Sequence, residues 1–174
     1  MSLLDIKLYG DPVLRKKAAP VETIDEEIRT LAADMVETMI EAPGVGLAAP
    51  QVGRSIRLLV ADASYQDGGD GPRVFINPEI LDSWGEWEYD EGCLSIPGLS
   101  AEIVRPEAIV VRFQDLSGET REEEFHRVWS RVLQHEIDHL NGKLFVDYLS
   151  PMRRALVLKK LRELARESKA RLTL

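Results

Sequence analysis

QHEIDH, residues 134–139, holds two of the three histidines in the chain, four residues apart, with a glutamate directly after the first. On a helix, side chains at i and i+4 project from the same side one turn apart, so His135 and His139 can grip a single cation. Glu136 is then swung toward water at that ion, where a metal-dependent hydrolase needs its base. The competing reading is a charged, solvated helix face. With only three histidines in the chain, chance would produce an H-E-x-x-H about 0.005 times, which favours the metal. Around the motif, Val128, Val132, Leu133, Ile137 and Leu140 recur at helical spacing, and Asn141-Gly142 stops the run. The spacing therefore predicts a helix over 128–140 with an apolar stripe beside its histidines.

The flanking segments say what packs on that stripe. SIRLLVAD (55–62), GPRVFINPEI (71–80) and AIVVRFQD (108–115) read as strands. LSGET (116–120) reads as a hairpin turn, and REEEFHR (121–127) returns as a polar edge strand. Asp11 and Pro12 open an expected short helix over 11–18. Ile28, Leu31, Ala32, Met35 and Met39 mark an amphipathic helix from about 25 to 41, broken by Pro43-Gly44. A last helix is expected from Pro151 to about 171, its apolar face formed by Val157, Leu158, Leu161, Leu164 and Ala165.

At 174 residues, with 44% hydrophobic and 30% charged side chains, the chain suits one globular domain. No apolar run approaches the roughly 20 residues needed to span a bilayer, and no signal peptide is visible. One cysteine, Cys93, forbids an intramolecular disulfide, so a reducing cytoplasm is the expected location. The net charge of −8 is unevenly spread. Residues 151–174 carry eight Lys/Arg against Glu163 and Glu167, a net of +6, which leaves −14 on the rest. An acidic body with a basic tail points to a partner for the tail.

Two histidines do not complete a catalytic site, which usually takes three protein ligands and keeps one position open. Phe145 stands where a metzincin has its third histidine. Glu163 would serve a thermolysin-like zinc peptidase, but it lies opposite the apolar face of its helix. Cys93, in DEGCLSIPG, would complete a His₂Cys set, although a lone cysteine is more often a small buried hydrophobe. His126 is expected at the surface or behind the ligands. Asp138 should point away from the ion and pair locally, while Glu91 and Arg105 are expected to form an ion pair steadying the cysteine loop. Trp84, Trp87 and Trp129 are expected as core or rim aromatics.

GVGLAAPQ (44–51), EGCLS (91–95) and QHEIDHLNG (134–142) together resemble the three signature motifs of the peptide deformylases, in order and spacing. GDPVLR (10–15), INPEI (76–80) and GKLFVDYLSP (142–151) extend the resemblance over nearly the whole chain. The long helical C-terminus is similar to that of the bacterial class. The resemblance implies an α+β fold with mainly antiparallel strands around the metal-binding helix. Residues 1–150 would form the catalytic region and 151–174 a basic C-terminal helix of the same domain. It implies removal of the formyl group from N-terminal formylmethionine of nascent chains. The metal ligands would be Cys93, His135 and His139, and the general acid/base Glu136. Gln51 and the backbone N–H of Leu94 would hold the oxyanion, and Gly46 would line the substrate cleft. One divalent ion per chain is implied, Fe²⁺ physiologically, with Zn²⁺, Ni²⁺ or Co²⁺ able to occupy the site.

Val45, Val128 and Val132 are candidates for the walls of the methionine pocket. The partners expected are formyl-Met nascent peptides and, through the basic helix, the ribosome; no DNA, no membrane and no second copy is expected. The chain departs from the family pattern at Arg127 and Ser130, where a glycine and an alanine are common, and at Tyr89, bulkier than the usual aliphatic residue. These differences bear on the methionine pocket. Two rivals remain: a zinc endopeptidase using Glu163, and a binding protein whose metal is structural or absent.

Overall fold

Asp25 starts the first helix by accepting a hydrogen bond from the Ile28 N–H at 3.0 Å, which satisfies one of the four free donors at a helix start. This helix, α1 (Glu26–Glu41), buries Ile28, Leu31, Ala32, Met35 and Met39 as its spacing predicts. In the computed structural model, which describes residues 2–173, the order continues with β1 (Gly46–Ala48), β2 (Leu58–Ala61), a short α2 (Ser64–Asp67) and β3 (Arg73–Trp84). Then come β4 (Trp87–Cys93), β5 (Ile96–Arg105), β6 (Ala108–Gln114), β7 (Thr120–His126), α3 (Arg127–Leu140) and α4 (Pro151–Leu172).

Five strands form an antiparallel sheet in the order β1-β2-β3-β6-β7, and β4 with β5 forms a separate two-stranded sheet. The architecture is the α+β one expected, and β7 is the expected polar edge. Pro78 sits inside β3 without breaking the sheet because the register shifts between Ile76 and Glu79. A bulge of this kind tolerates a residue with no N–H to donate. Asn77, at φ 51°, turns the strand there and ties it down by hydrogen bonds to the Val21 backbone and to Gln114.

α3 crosses the sheet and packs Val128, Val132, Leu133, Ile137 and Leu140 against Phe75, Ile109, Val111, Phe113 and Phe125. α1 covers a second group with Leu47, Leu58, Val60 and Ile76. A third forms where Leu161 and Leu164 of α4 meet Ile96, Ile103, Phe145 and Val146.

Two expectations need correction, and one helix, with its apolar stripe buried as expected, buries more besides. The segment 11–18 is helical only over Pro12–Arg15, as one 3₁₀ turn. Leu158 is not on the docked face of α4: it is 37% exposed, and Ser168 is buried with Leu161 and Leu164 instead. Most instructive is α3, which is not amphipathic in the ordinary sense. Ser130, Arg131, Gln134, His135, Glu136 and His139 are buried along with its apolar stripe. Buried polar groups in such number require partners on every side. Those partners are the site.

Candidate metal centre

Cys93 ends β4, and His135 and His139 stand one turn apart on α3. Cys93 Sγ lies 3.4 Å from His139 Nε2, and one ligand atom from each of the three residues falls within 4.8 Å of the other two. Sulfur and imidazole nitrogen on one tetrahedral ion, at bond lengths of about 2.3 and 2.0–2.1 Å, sit about 3.6 Å apart, so the spacing suits a shared cation. Among the described residues this is the one Cys/His/Asp/Glu group with such spacing.

The His135 ring is held from behind. His135 Nδ1 meets Glu91 Oε1 at 2.9 Å, which turns Nε2 toward the sulfur and Glu136. Orienting a ligand ring through its second nitrogen is how proteins hold metal-binding histidines. Glu91 in turn accepts from Arg105 at 2.6 and 2.9 Å and from Arg131 at 2.7 Å, all three side chains being about 4% exposed. Burial alone would raise the Glu91 pKa; the hydrogen bonds from His135 and Arg105 reverse that and hold it well below the usual carboxylate range. The expected Glu91–Arg105 pair is thus present. Its orienting role toward His135, and the part played by Arg131, escaped the sequence reading. A signal did exist, since Arg131, His135 and His139 repeat at four-residue intervals on one helix face.

Glu136 is buried with no hydrogen bond to Oε2. Burial pushes its pKa up to about 7. Burial likewise lowers the His139 pKa, followed by the effect of His135, favouring the neutral imidazole a ligand must be. The His139 Nδ1 atom is also without a partner. Gly46 is explained by the same carboxyl: a Cβ on it would stand 2.6 Å from Glu136 Oε1, so no larger residue fits there without displacing it. Gln51 is 1% exposed and oriented at its oxygen, which accepts from Ala48 N–H at 2.9 Å. That turns its amide nitrogen toward Ser95 Oγ at 3.1 Å and Cys93 Sγ at 3.6 Å.

These groups open onto a cleft of about 540 Å³ between α3 and the β4–β5 hairpin. Val45, Gly46, Cys93, Leu94, Val128, Val132, His135 and Glu136 all line it, as do Tyr89 and Arg131. The remaining candidates fall elsewhere. Glu163 is exposed on α4. Asp138 pairs with the Tyr148 hydroxyl at 2.7 Å and, beyond the local pairing expected, with Arg105 of β5 at 2.8 Å. His126 sits at the surface beside Glu124. Phe145 stacks on the His135 ring, centroids 6.2 Å apart. Trp87 and Trp129 pack on the rim of the core, while Trp84 is 40% exposed. Arg127 begins α3 at φ 49°, a region that favours glycine, with its guanidinium 4.7 Å from the Trp87 ring centre. Ser130 accepts a hydrogen bond from Gln134 at 2.8 Å.

A buried carboxyl beside a Cys/His/His cradle, at the wall of a cleft wide enough for a peptide, defines a metal-dependent hydrolase. Residues 3–155 match the family model described as polypeptide deformylase. A peptide deformylase of Afipia carboxidovorans is 48% identical over 167 residues, covering 95% of this chain and 98% of its own length. The crystal structure of a peptide deformylase from Legionella pneumophila superimposes with a TM-score of 0.87 at 46% identity, over 97% of this chain and 98% of that one. That of the Thermus thermophilus enzyme gives 0.88 at 46% identity, over 95% and 99%. The chain belongs to the polypeptide deformylase family, whose reaction is the metal-dependent removal of the N-formyl group from nascent peptides.

Proposed function

We propose that Cys93, His135 and His139 hold one divalent ion per chain, that Glu136 relays the proton, and that Gln51 with the Leu94 N–H receives the anion of the deformylation step. The observation that carries this reading is a buried Glu136 oxygen without a partner, beside three ligand atoms already at chelating distance. A bound divalent cation supplies the charge that brings the pKa of water from about 15.7 toward 7. Glu136 would accept a proton as water adds to the formyl carbon and return it to the amine nitrogen as the C–N bond breaks, one carboxyl serving as base and then as acid. The Gln51 amide donates to the negative charge growing on the formyl oxygen, and being uncharged it does not repel the cation. Val45, Gly46, Val128 and Val132 form walls for the methionine side chain, their apolar surface suiting a thioether.

Gln51→Leu tests the assignment. It should lower kcat for a formyl-Met peptide by about 10²-fold, the cost of losing one preorganised donor, with metal content unchanged. A kcat equal to wild type removes Gln51 from the anion site. Exposed Glu163 gives the zinc-peptidase rival no third ligand.

Fe²⁺ is the ion we assign, with Zn²⁺, Ni²⁺ and Co²⁺ as substitutes; thiolate with imidazole accommodates all four. Iron beside a thiolate is oxidisable, so formate release should decay in air and persist under anaerobic handling. Air-stable activity with stoichiometric zinc in anaerobically isolated protein would assign zinc instead.

The chain is read as a monomer of the cytoplasm, 1–150 catalytic and 151–174 its basic helix; among the described residues no helix is long and apolar enough to cross a membrane. We assign that helix to salt-sensitive docking on the ribosome. Lys159, Arg162, Arg166 and Lys169 are exposed on one side of α4, and among the described residues none is in an ion pair. Deletion of the helix is a poor test, because Leu161 and Leu164 belong to the core. Changing these four residues to glutamine should weaken ribosome sedimentation and leave turnover of a free formyl peptide intact. Undiminished co-sedimentation would refute the docking role.

A further inference from the structure

The three ligand atoms come from parts of the fold that no strand pairing joins. β4 and β5 pair with each other alone, whereas α3 packs on the five-stranded sheet. Cys93, and the cleft wall from Tyr89 to Leu94, ride on the hairpin; both histidines ride on the helix. Trp87 of β4 packs against the core beside α3, and the polar part of the join is ionic. Arg105 of β5 grips Glu91 and reaches Asp138 on α3 at 2.8 Å. Arg131 makes the reverse connection, from α3 outward. Its guanidinium donates to Glu91 Oε2 at 2.7 Å and to the Ile103 carbonyl at 2.8 Å, and it also bonds the Trp87 carbonyl. One side chain, 4% exposed, thus ties the helix to β4 at two places and to β5 at one.

We infer that Arg131 is a positioning residue for deformylation: its strand contacts hold the outer cleft wall at a set distance from α3, and its Glu91 contact steadies the carboxylate that orients His135. The inference rests on the reading of Cys93, His135 and His139 as the ligands. A planar guanidinium with its donors in a rigid fork can serve three acceptors in different directions; an ammonium on a flexible stem cannot hold the same set. Nη1 serves Glu91 and the Ile103 carbonyl while Nη2 serves the Trp87 carbonyl, so a lysine with its single nitrogen cannot keep the whole set. Trp87 and Tyr89, 4.7 Å apart, lean on the guanidinium at 5.5 and 5.9 Å. Tyr89, which lines the cleft with Arg131, Val128 and Val132, is therefore placed by Arg131 as well.

Arg131→Met and Arg131→Lys, compared with wild type as Co²⁺-loaded proteins, test this. Folding is followed by circular dichroism, the ligand field by the visible cobalt spectrum, and the wall by formyl-Met peptide kinetics. Arg131→Met should raise KM about tenfold as the cleft wall shifts, and lower kcat as well because the His135 ring is no longer steadied through Glu91. Its cobalt bands should shift as His135 loosens. Arg131→Lys keeps an ammonium at Glu91 and gives up the strand carbonyls, so it should show a wild-type cobalt spectrum with a raised KM. A folded Arg131→Lys with wild-type KM overturns the proposal whatever Arg131→Met does, and so does an unshifted cobalt spectrum in folded Arg131→Met. Failure of both variants to fold overturns it in favour of a purely structural clamp. A wild type lacking a sulfur-to-cobalt absorption band would overturn the ligand reading itself, a result separable from the others.

Discussion

Glu136→Gln is expected to reduce formate release from a formyl-Met peptide by about a thousandfold, within the range that positioned proton transfer contributes. The amide has the same shape, so it fits against Gly46 where the carboxyl now lies. It cannot accept a proton from water or return one to the amine. Metal content should stay at one ion per chain, since no ligand is touched, and thermal unfolding should move little. The buried, unpaired Oε2 costs the native state something that glutamine does not increase. Single-turnover formate assays with metal analysis on the same samples check this. Near wild-type turnover in the loaded variant would sink the proton-relay role and leave the cleft without a base.

The second large effect is expected at Glu91. Glu91→Gln leaves Arg105 buried with Asp138 as its one carboxylate and Arg131 buried with none. Removing one partner from a buried ion cluster costs about 3–5 kcal/mol, because the remaining charges stay dehydrated without compensation. The His135 ring loses its strongest acceptor, so metal affinity should fall about 10–100-fold. Urea unfolding and competition with a chelator measure the two effects separately.

A pH signature follows from the same residue. Its folded pKa is depressed, so its stabilisation is fully present above the ordinary carboxylate value of 4.5 and is lost as pH falls below it. Unfolding free energy of the wild type should therefore drop with acid below about pH 4.5, and Glu91→Gln should show a flatter slope over that range. Equal slopes in the two proteins would mean Glu91 is not the group whose charge holds the hairpin to α3.

Local patterns in the chain are strong where a physical constraint is short in range. Two histidines at i and i+4 can only face one way if the segment is a helix, and the apolar spacing from Val128 to Leu140 says that it is. The motif therefore announced both the central helix and its chemistry. Pro43-Gly44 and Asn141-Gly142 marked helix ends because helix breaking and left-handed backbone are properties of single residues. Gly142, at φ 74°, sits with Arg15 backbone where its Cβ would be. The hairpin at 116–120 and the polar edge strand after it were legible for similar reasons.

What periodicity could not supply was the third dimension of burial. A helix with an apolar stripe looks amphipathic from its own composition, yet α3 is covered all round because the β4–β5 hairpin closes over its polar side. Only then do Arg131 and Glu91 become buried partners rather than surface charges. Leu158 shows the reverse: its spacing placed it on the packed face of α4, and the contact made with Ile96, Phe145 and Val146 is narrower than the stripe.

By itself, then, the sequence determined α1, α3, α4 and the strands β2, β3, β6 and β7, but not the β4–β5 hairpin, and, through three motifs read together, the family whose reaction this is. The tertiary structure alone decided which cations and carboxylates were to be stripped of water together. That choice belongs to contacts 40 and 44 residues apart in the chain, those of Arg131 and His135 on Glu91. The strength of a charge pair depends on the dielectric around it, and a chain has no dielectric until it has folded.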